Sequence, residues 1–139
     1  MRTSVLMERI RAECPGFAAV EHALSSSADM AFPAAMVTPS KCEAAAEGTV
    51  GLGIHSQLVT QTFSIFILQT RTQDGVVGYG KADGLDDLID ELRAALVGWQ
   101  PDTEEEPLQL VGGLLDRFHT GTVCWREDYS IQTELRLTR

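Results

Sequence analysis

The sequence predicts an α+β fold, in which a mostly antiparallel (mixed) β-sheet is flanked by two α-helices. Two segments carry helical periodicity, Ser4 to Glu13 and Leu85 to Trp99. Strand-like segments separate these helices, and three more follow the second one. The order helix, strands, helix, strands is typical of α+β proteins. The 139 residues contain no internal repeat and no long linker, so we expect one domain over residues 1–139.

The first helix is predicted from an apolar stripe. Leu6, Ile10 and Cys14 recur at i, i+4 and i+8, so they fall on one helical face. Thr3 or Ser4 can cap the amino end, because a hydroxyl oxygen accepts a hydrogen bond from the first free N–H groups. The Pro-Gly pair that follows Cys14 ends the pattern.

Three strand-like segments lie between the helices. Phe17 to His22 and Phe32 to Thr38 are short and apolar, and a Ser-rich loop separates them. The long run from Gln57 to Thr72 is apolar on both faces at its centre, which predicts a strand in the middle of a covered sheet. The Ala- and Gly-rich segment Lys41 to Gly53 has weak periodicity, and it is interpreted as a mobile loop or hairpin.

The second helix has the strongest pattern in the chain. Its apolar residues recur at three and four, and Asp83, Asp86 and Asp87 lie at its start, where the helix dipole favours negative charge. Gly98 and Pro101 mark its end. The apolar positions, expected to pack on the sheet, are Leu85, Leu88, Ile89, Leu92, Leu96 and Trp99.

The segment after the second helix predicts three strands. They run from Leu108 to Phe118, with a bulge at Gly112-Gly113, then from Thr122 to Arg126, and last from Tyr129 to Leu137. The last segment alternates clearly between apolar and polar residues.

The composition excludes several classes of function. Twenty acidic and 11 basic side chains give a net charge of −9. Binding to DNA or RNA depends on Lys and Arg that neutralise phosphates, so nucleic-acid recognition is not expected. No apolar run approaches the roughly 20 residues of a membrane helix, and the amino terminus lacks a signal-peptide pattern. We expect the protein to stay in the cytoplasm in which it is made, without contact with a membrane.

One short motif raises the question of nucleotide binding. Gly75, Gly80 and Lys81 have the spacing of a P-loop, between a predicted strand and a predicted helix. However, Ala82 stands where a Ser or Thr should ligate magnesium, and Asp83, Asp86 and Asp87 would repel a polyphosphate. An ordinary strand-to-helix turn is the favoured interpretation, with no cofactor. A small nucleotide- or phosphate-binding enzyme that uses this loop remains an alternative.

Other chemical signatures are weak. Cys14, Cys42 and Cys124 are far apart, so they predict reduced, partly buried thiols. The three histidines are scattered, and no metal-ligand spacing is present. Trp99 and Trp125 are expected to fill core. The sequence predicts no catalytic residue, no metal site and no enzyme.

Several segments in a fixed order resemble a known family. The order and spacing of these segments are similar to those of the tail terminator (tail completion) proteins of long-tailed bacteriophages, especially Mu-like and other contractile-tailed phages and prophages. The similarity covers the chain from Leu6 onward, and its motifs are structural. They are FPAAMVTP, TQTFSIFILQTRT, DGVVGYGKADGLDDLIDELRAALVGWQP and PLQLVGGLLDRFHTGTVCWREDYSIQTELR.

The resemblance implies a structural role in the virion. Such proteins form a ring, usually a hexamer, at the head-proximal end of the tail tube. The ring ends tube growth and offers a surface to the neck or connector of the filled head, and in contractile tails it also meets the tail sheath. The implied partners are therefore further copies of the chain, the tube protein, neck proteins and the sheath. Another neck component, such as a head-completion or connector protein, is the main alternative.

A ring that caps a tube needs surfaces for its neighbours and for the tube end. Loops are natural donors of such contacts. Three loop segments are predicted to supply these contacts. They are Lys41 to Gly53, Asp74 to Lys81 and Asp102 to Glu106. The interface candidates in them are Lys41, Glu43, Glu47, Asp74, Tyr79, Lys81, Asp102, Glu104, Glu105 and Glu106.

Overall fold

The computed structural model confirms the α+β class, and the residues that it describes form one mixed six-stranded sheet and two α-helices. It describes residues 1–25, 29–46, 48–51, 53–70, 84–119 and 122–138. The helices are α1 (Thr3–Glu13) and α2 (Gly84–Leu96). The strands are β1 (Ala19–His22), β2 (Ala34–Ala44), β3 (Thr49–Gly51), β4 (Ile54–Thr70), β5 (Gln109–His119) and β6 (Thr122–Thr138).

The strand order places the longest strands in the centre of the sheet. The order is β1-β2-β4-β6-β5, and β3 pairs with β4 beside the end of β2. Among the described strands, β1 and β2 pair in parallel and the other pairs are antiparallel. The prediction that the long apolar segment forms a middle strand is therefore confirmed. The outermost strands are β1 on one side and β5 on the other.

Both helices contribute to one apolar core on the same face of the sheet. Phe63, Ile65 and Ile67 alternate along β4 and are buried against residues of α1 and α2. Their neighbours Thr60 and Thr62 point to the opposite face, called the far face below. Ser64 also lies on the far face, where it is buried and donates a hydrogen bond to Asp128 over 2.6 Å.

Helix α2 packs as its pattern predicts. Leu92 and Leu96 are fully buried, and Asp87 is exposed. Burial of each leucine side chain contributes about 1.5–3 kcal/mol. The helix ends at Leu96, and Gly98 follows with a φ of 82°, a left-handed conformation that favours glycine. The Gly98 N–H donates a hydrogen bond to the carbonyl of Leu108, the residue that precedes β5.

Helix α1 begins where expected, but its cap is different. Arg2 occupies the N-cap position, and no side chain caps the helix, so the predicted role of Thr3 or Ser4 is wrong. Contacts to α2 fix its position instead. The Arg9 guanidinium donates to the carbonyl of Ala95 over 3.1 Å and lies 5.2 Å from the centroid of the Trp99 ring.

The strand predictions need two corrections. The two last predicted strands are one strand, β6, which continues through Glu127 and Asp128. Both acids are accommodated in the strand, because Glu127 is buried with partners and Asp128 pairs with Arg126 over 2.9 Å. In β5, the register shifts at Val111 and again at Asp116, so the bulge precedes the predicted Gly112-Gly113 position.

The segment Lys41 to Gly53 is more regular than a mobile loop. Strand β2 continues through Ala44, because its backbone stays paired with β4 after a bulge near Ser40. The hairpin part of the prediction is confirmed, since β3 and the start of β4 pair from Thr49↔Ser56 to Gly51↔Ile54. Gly53, in the turn, has a φ of 76°.

Neither helix that the structure describes has the length and apolarity needed to span a membrane.

Candidate functional site

The candidates Lys41 and Glu43 lie on the outer end of β2. They point to the far face, where they are paired with Thr62 and Thr60 of β4 in the ladder. The Lys41 ammonium lies 2.6 Å from the Glu43 carboxylate, and both side chains are exposed. An exposed pair of this kind contributes little to stability, so both groups are available to a partner.

Four candidates lie outside the described residues. They are Glu47, Asp74, Tyr79 and Lys81. The whole P-loop-like motif is among the residues that are not described, so its interpretation as an ordinary turn stays a prediction. The helix that follows begins at Gly84, with Asp86 and Asp87 exposed in its first turn.

The acidic segment after α2 is an ordered turn. The Asp102 carboxylate accepts a hydrogen bond from the Glu104 N–H over 3.1 Å, and the Asp102 carbonyl accepts one from the Glu105 N–H. The Gln100 amide donates to the Glu105 carbonyl over 2.7 Å. These bonds hold Asp102, Glu104 and Glu106 on the surface, where all three side chains are exposed.

Glu105 points inward, unlike its neighbours. Its backbone bridges to Thr133 of β6, and its carboxylate accepts a hydrogen bond from the Met1 ammonium over 2.9 Å. The same ammonium donates to the Gln61 side chain over 2.8 Å. Only 13% of the Glu105 side chain is exposed. The turn is therefore attached to the sheet through Glu105 and presents three carboxylates to solvent.

A polar cleft lies next to this turn on the far face. Its volume is about 240 Å³. Hydroxyl, amide and carboxylate groups dominate its wall, so it suits a polar segment rather than an apolar one. The lining residues are Thr60, Glu106, Pro107, Gln109, Ser130 and Gln132.

Exposed apolar side chains were missed by sequence reasoning. One set lies on β5, which we call the β5 edge: Leu110, Val111, Leu114 and Leu115, between 37% and 59% exposed. The second set lies where β4 and β6 extend past the core, which we call the ribbon end: Ile54, Leu58, Leu135 and Leu137. The residue types were visible in the sequence, but they resemble core residues until the strand order places them at the margin.

A buried carboxylate connects α2 to the sheet. Glu127 accepts two hydrogen bonds from the Arg93 guanidinium, over 2.8 and 3.0 Å. The Trp125 indole and the Tyr129 hydroxyl donate to the same carboxylate over 2.8 and 3.1 Å. The hydrogen bond to Glu127 raises the pKa of Arg93, and burial together with Glu127 raises the pKa of Tyr129. Each carboxylate oxygen of Glu127 therefore accepts two hydrogen bonds, and the group holds α2 against the sheet.

Histidines, cysteines and possible metal ligands are the remaining groups with potential chemistry. Within the described residues, no three His, Cys, Asp or Glu side chains are grouped to hold a metal ion. His22 accepts a hydrogen bond from the Leu24 N–H. Cys14 and Cys124 are buried, whereas Cys42 is exposed, unlike the partly buried thiol expected there. Burial and the nearby Glu91 raise the pKa of Cys14 to about 11.

The comparison with protein families agrees with the sequence resemblance. A family model described as phage tail terminator protein matches residues 1–139, which is the whole chain. A comparison with curated protein sequences found no match. Because the family match covers the full length, the chain belongs to the phage tail terminator family.

Proposed function

We propose that copies of this chain form a hexameric ring that occupies the head-proximal end of a phage tail tube. The ring stops tube growth and provides the surface to which the filled head attaches through its neck. The observation that carries this proposal is the match of the whole chain to the phage tail terminator family. Structural tail proteins act by contact, which is consistent with a site made of surfaces rather than reacting groups.

A tail tube needs such a protein for a physical reason. Heterologous stacking of identical subunits leaves an unpaired surface at each end, so growth continues until another protein covers that surface. A ring has the shape of the tube end, so it can cover all the tube subunits exposed there at once. Its opposite side is then free for the neck, and in a contractile tail for the last sheath ring.

The acidic turn is the surface that we assign to contact with the tube or neck. The chain carries a net charge of −9, and Asp102, Glu104 and Glu106 project from a turn that internal hydrogen bonds hold in place. A rigid group of carboxylates favours a partner with a positive patch, because complementary charge speeds and orients association. Lys41 and Glu43 form an exposed ion pair on the far face, and we assign them to contact with the tube or neck as well.

Deletion of the gene tests the role of the ring. We expect tails that are too long or irregular in length, without attached heads, when they are imaged by electron microscopy. Complementation with the wild-type gene should restore normal length. Tails of normal length that join heads normally would contradict the proposal. Tails of normal length that lack heads would instead favour a head-completion or connector role.

Complementation with charge variants tests the surface. The triple variant Asp102→Asn, Glu104→Gln and Glu106→Gln removes the projecting charges of the turn. The matched control is Asp86→Asn, Asp87→Asn and Asp90→Asn, which removes the same charge from exposed positions of α2. We expect reduced head attachment only for the turn variant. Equal effects of both variants would show that total charge, and not the turn, is responsible.

A further inference from the structure

The two margins of the sheet differ in their protection against strand pairing. An edge strand presents unpaired backbone N–H and C=O groups, and proteins blunt such edges with prolines, charges and bulges. On the β2 side, the free part of the strand carries Pro39, Lys41 and Glu43, with a bulge near Ser40. The free part of β2 is therefore poorly suited to pairing with another chain.

The β5 edge also contains two bulges, but it has no proline and carries no charge from Gln109 to Leu115. In the described part of the chain, no strand pairs with the outer side of β5. Its residues Gln109 to Leu115 carry no charge, and its four large apolar side chains are exposed. Bulges at Val111 and Asp116 interrupt the ladder to β6 but leave these side chains in solvent. An edge of this kind favours addition of an extended segment.

The ribbon end offers β6 as an extended edge strand, because among the described residues no strand pairs with its outer side beyond the bridge at Thr133. Beyond Val59 and Ile131 the paired strands β4 and β6 leave the core, and four large apolar side chains are exposed there. Its charged residues Glu134 and Arg136 lie 3.5 Å apart, so they offset each other. Ser56 also hydrogen-bonds to the Glu134 carboxylate. The ribbon end is therefore nearly neutral, and each of its two faces carries two exposed apolar side chains, Ile54 and Leu58 on one and Leu135 and Leu137 on the other.

We propose that the β5 edge of one copy binds the ribbon end of the next copy, and that this contact closes the ring. The inference rests on the proposed function, because the ring supplies the need for a heterologous contact. The two surfaces are different, and both lie on the same chain. Together they contain eight of the 12 large apolar side chains that are exposed among the described residues.

Charge identifies a second copy as the occupant. Two molecules that each carry a charge of −9 repel each other, so contact between copies is favoured at surfaces without excess carboxylates. The β5 edge from Gln109 to Leu115 and the ribbon end meet this condition, whereas the acidic turn does not. A basic partner would gain nothing from the uncharged edge and would favour the turn instead.

Lysine substitutions test both surfaces in the full-length protein. Val111→Lys and Leu115→Lys alter the β5 edge, and Leu135→Lys and Leu137→Lys alter the ribbon end. Leu24→Lys is the matched control, because it adds the same charge at an exposed apolar residue outside both surfaces. Sedimentation velocity over a concentration series, alone and with purified tail tubes, measures assembly. We expect association about tenfold weaker or more in the four test variants, and unchanged in the control.

A mixing experiment separates a heterologous contact from a symmetric one. Val111→Lys retains an intact ribbon end, and Leu135→Lys retains an intact β5 edge. Their mixture should therefore give dimers with one intact contact, and no ring. Hydrogen exchange adds a backbone readout, since amides of 109–115 should gain protection in wild-type assemblies if the segment joins as a strand.

Each outcome has a defined meaning. Rings formed equally by all variants would overturn this inference and leave the proposed function in place. Failure of the mixture to dimerise would also overturn the pairing of these two surfaces. Wild-type protein that stays monomeric, both alone and on tail tubes, would overturn the ring and this inference together.

Discussion

Gly113 illustrates how one residue makes room for another. A β-carbon added at Gly113 would lie 2.5 Å from a Glu127 carboxylate oxygen and 2.9 Å from the Trp125 ring. The carboxylate cannot move freely, because Arg93 and Trp125 hold it by hydrogen bonds. We therefore expect Gly113→Ala to lower the free energy of unfolding by about 1–3 kcal/mol in a denaturant titration, the usual cost of overpacking.

The neighbouring glycine is the control for this prediction. A β-carbon at Gly112 would meet no atom within 4 Å. Gly112→Ala should therefore have a small effect, or stabilise the protein slightly by reducing the freedom of the unfolded chain. Equal destabilisation by both substitutions would mean that the close approach to Glu127 is not the cause.

The three thiols should differ in reactivity. Cys42 is exposed on β2, whereas Cys14 and Cys124 are buried. Burial also raises the pKa of Cys14 to about 11, which keeps it protonated near neutral pH. Since the exposed thiolate is the reactive form, we expect iodoacetamide to modify the native protein once, at Cys42. Peptide mass spectrometry identifies the site, and Cys42→Ser should abolish labelling. Rapid modification of Cys14 in the folded protein would contradict the burial.

Residue roles were predicted from the sequence only where they depend on local pattern. The burial of Leu92 and Leu96 follows from helical periodicity, and the structure confirms it. The burial of Glu127 was not predictable in this way, because its partner Arg93 lies on α2, 34 residues away. A charged residue in a sequence gives no sign of a distant partner. For the same reason Glu105 was predicted as an interface residue, although it points inward and pairs with the Met1 ammonium.

At the scale of elements, α2 offers a direct test of orientation. Leu92 contributes to the core under the sheet, and Asp87 faces solvent on the same helix. Leu92→Ala should cost about 2–5 kcal/mol of unfolding free energy, because it removes buried methyl groups and leaves a cavity. Asp87→Ala should cost little, as is usual for exposed residues. Similar small losses for both variants would refute the orientation of α2.

The glycine-rich segment before α2 carries a prediction of its own. Ala82 cannot ligate magnesium, and the first turn of α2 presents Asp86 and Asp87. We therefore expect isothermal titration calorimetry to detect no binding of ATP or GTP, with or without magnesium. Magnesium-dependent binding in the micromolar range that disappears in Lys81→Ala would restore the nucleotide-binding alternative.

The elements themselves were predicted well where periodicity is strong and neighbours matter little. Helix α2 and strand β4 differ from their predicted bounds by only a few residues. The weakest prediction concerned residues 41–44, whose pattern is poor, yet they continue β2. Their backbone is paired with β4 through long-range hydrogen bonds, which stabilise a strand whatever its local propensity. Pairing of this kind is a property of the sheet rather than of the segment.

At the scale of the whole molecule, the surfaces depend on strand order more than on composition. The apolar residues of β5 would be core residues in a central strand, and only the order β1-β2-β4-β6-β5 makes them a margin. The sequence therefore predicted the fold class and the family, but not which residues meet a neighbour. The acidic turn is the exception, because its charges and flanking prolines mark a surface in any fold.

Salt should separate the two kinds of contact that we propose. Copies with a net charge of −9 repel each other, and salt screens this repulsion, since the Debye length falls to about 10 Å at 0.1 M ionic strength. The contact between the β5 edge and the ribbon end is apolar, so it should be kept. We therefore expect self-association of the wild-type protein to strengthen as sodium chloride is raised, as measured by sedimentation velocity. Attachment through the acidic turn should weaken over the same range, because salt screens attraction equally well. The turn variant without Asp102, Glu104 and Glu106 charges is the control, and its attachment should respond less to salt. Self-association that weakens with salt would indicate that opposite charges, and not apolar surfaces, join the copies.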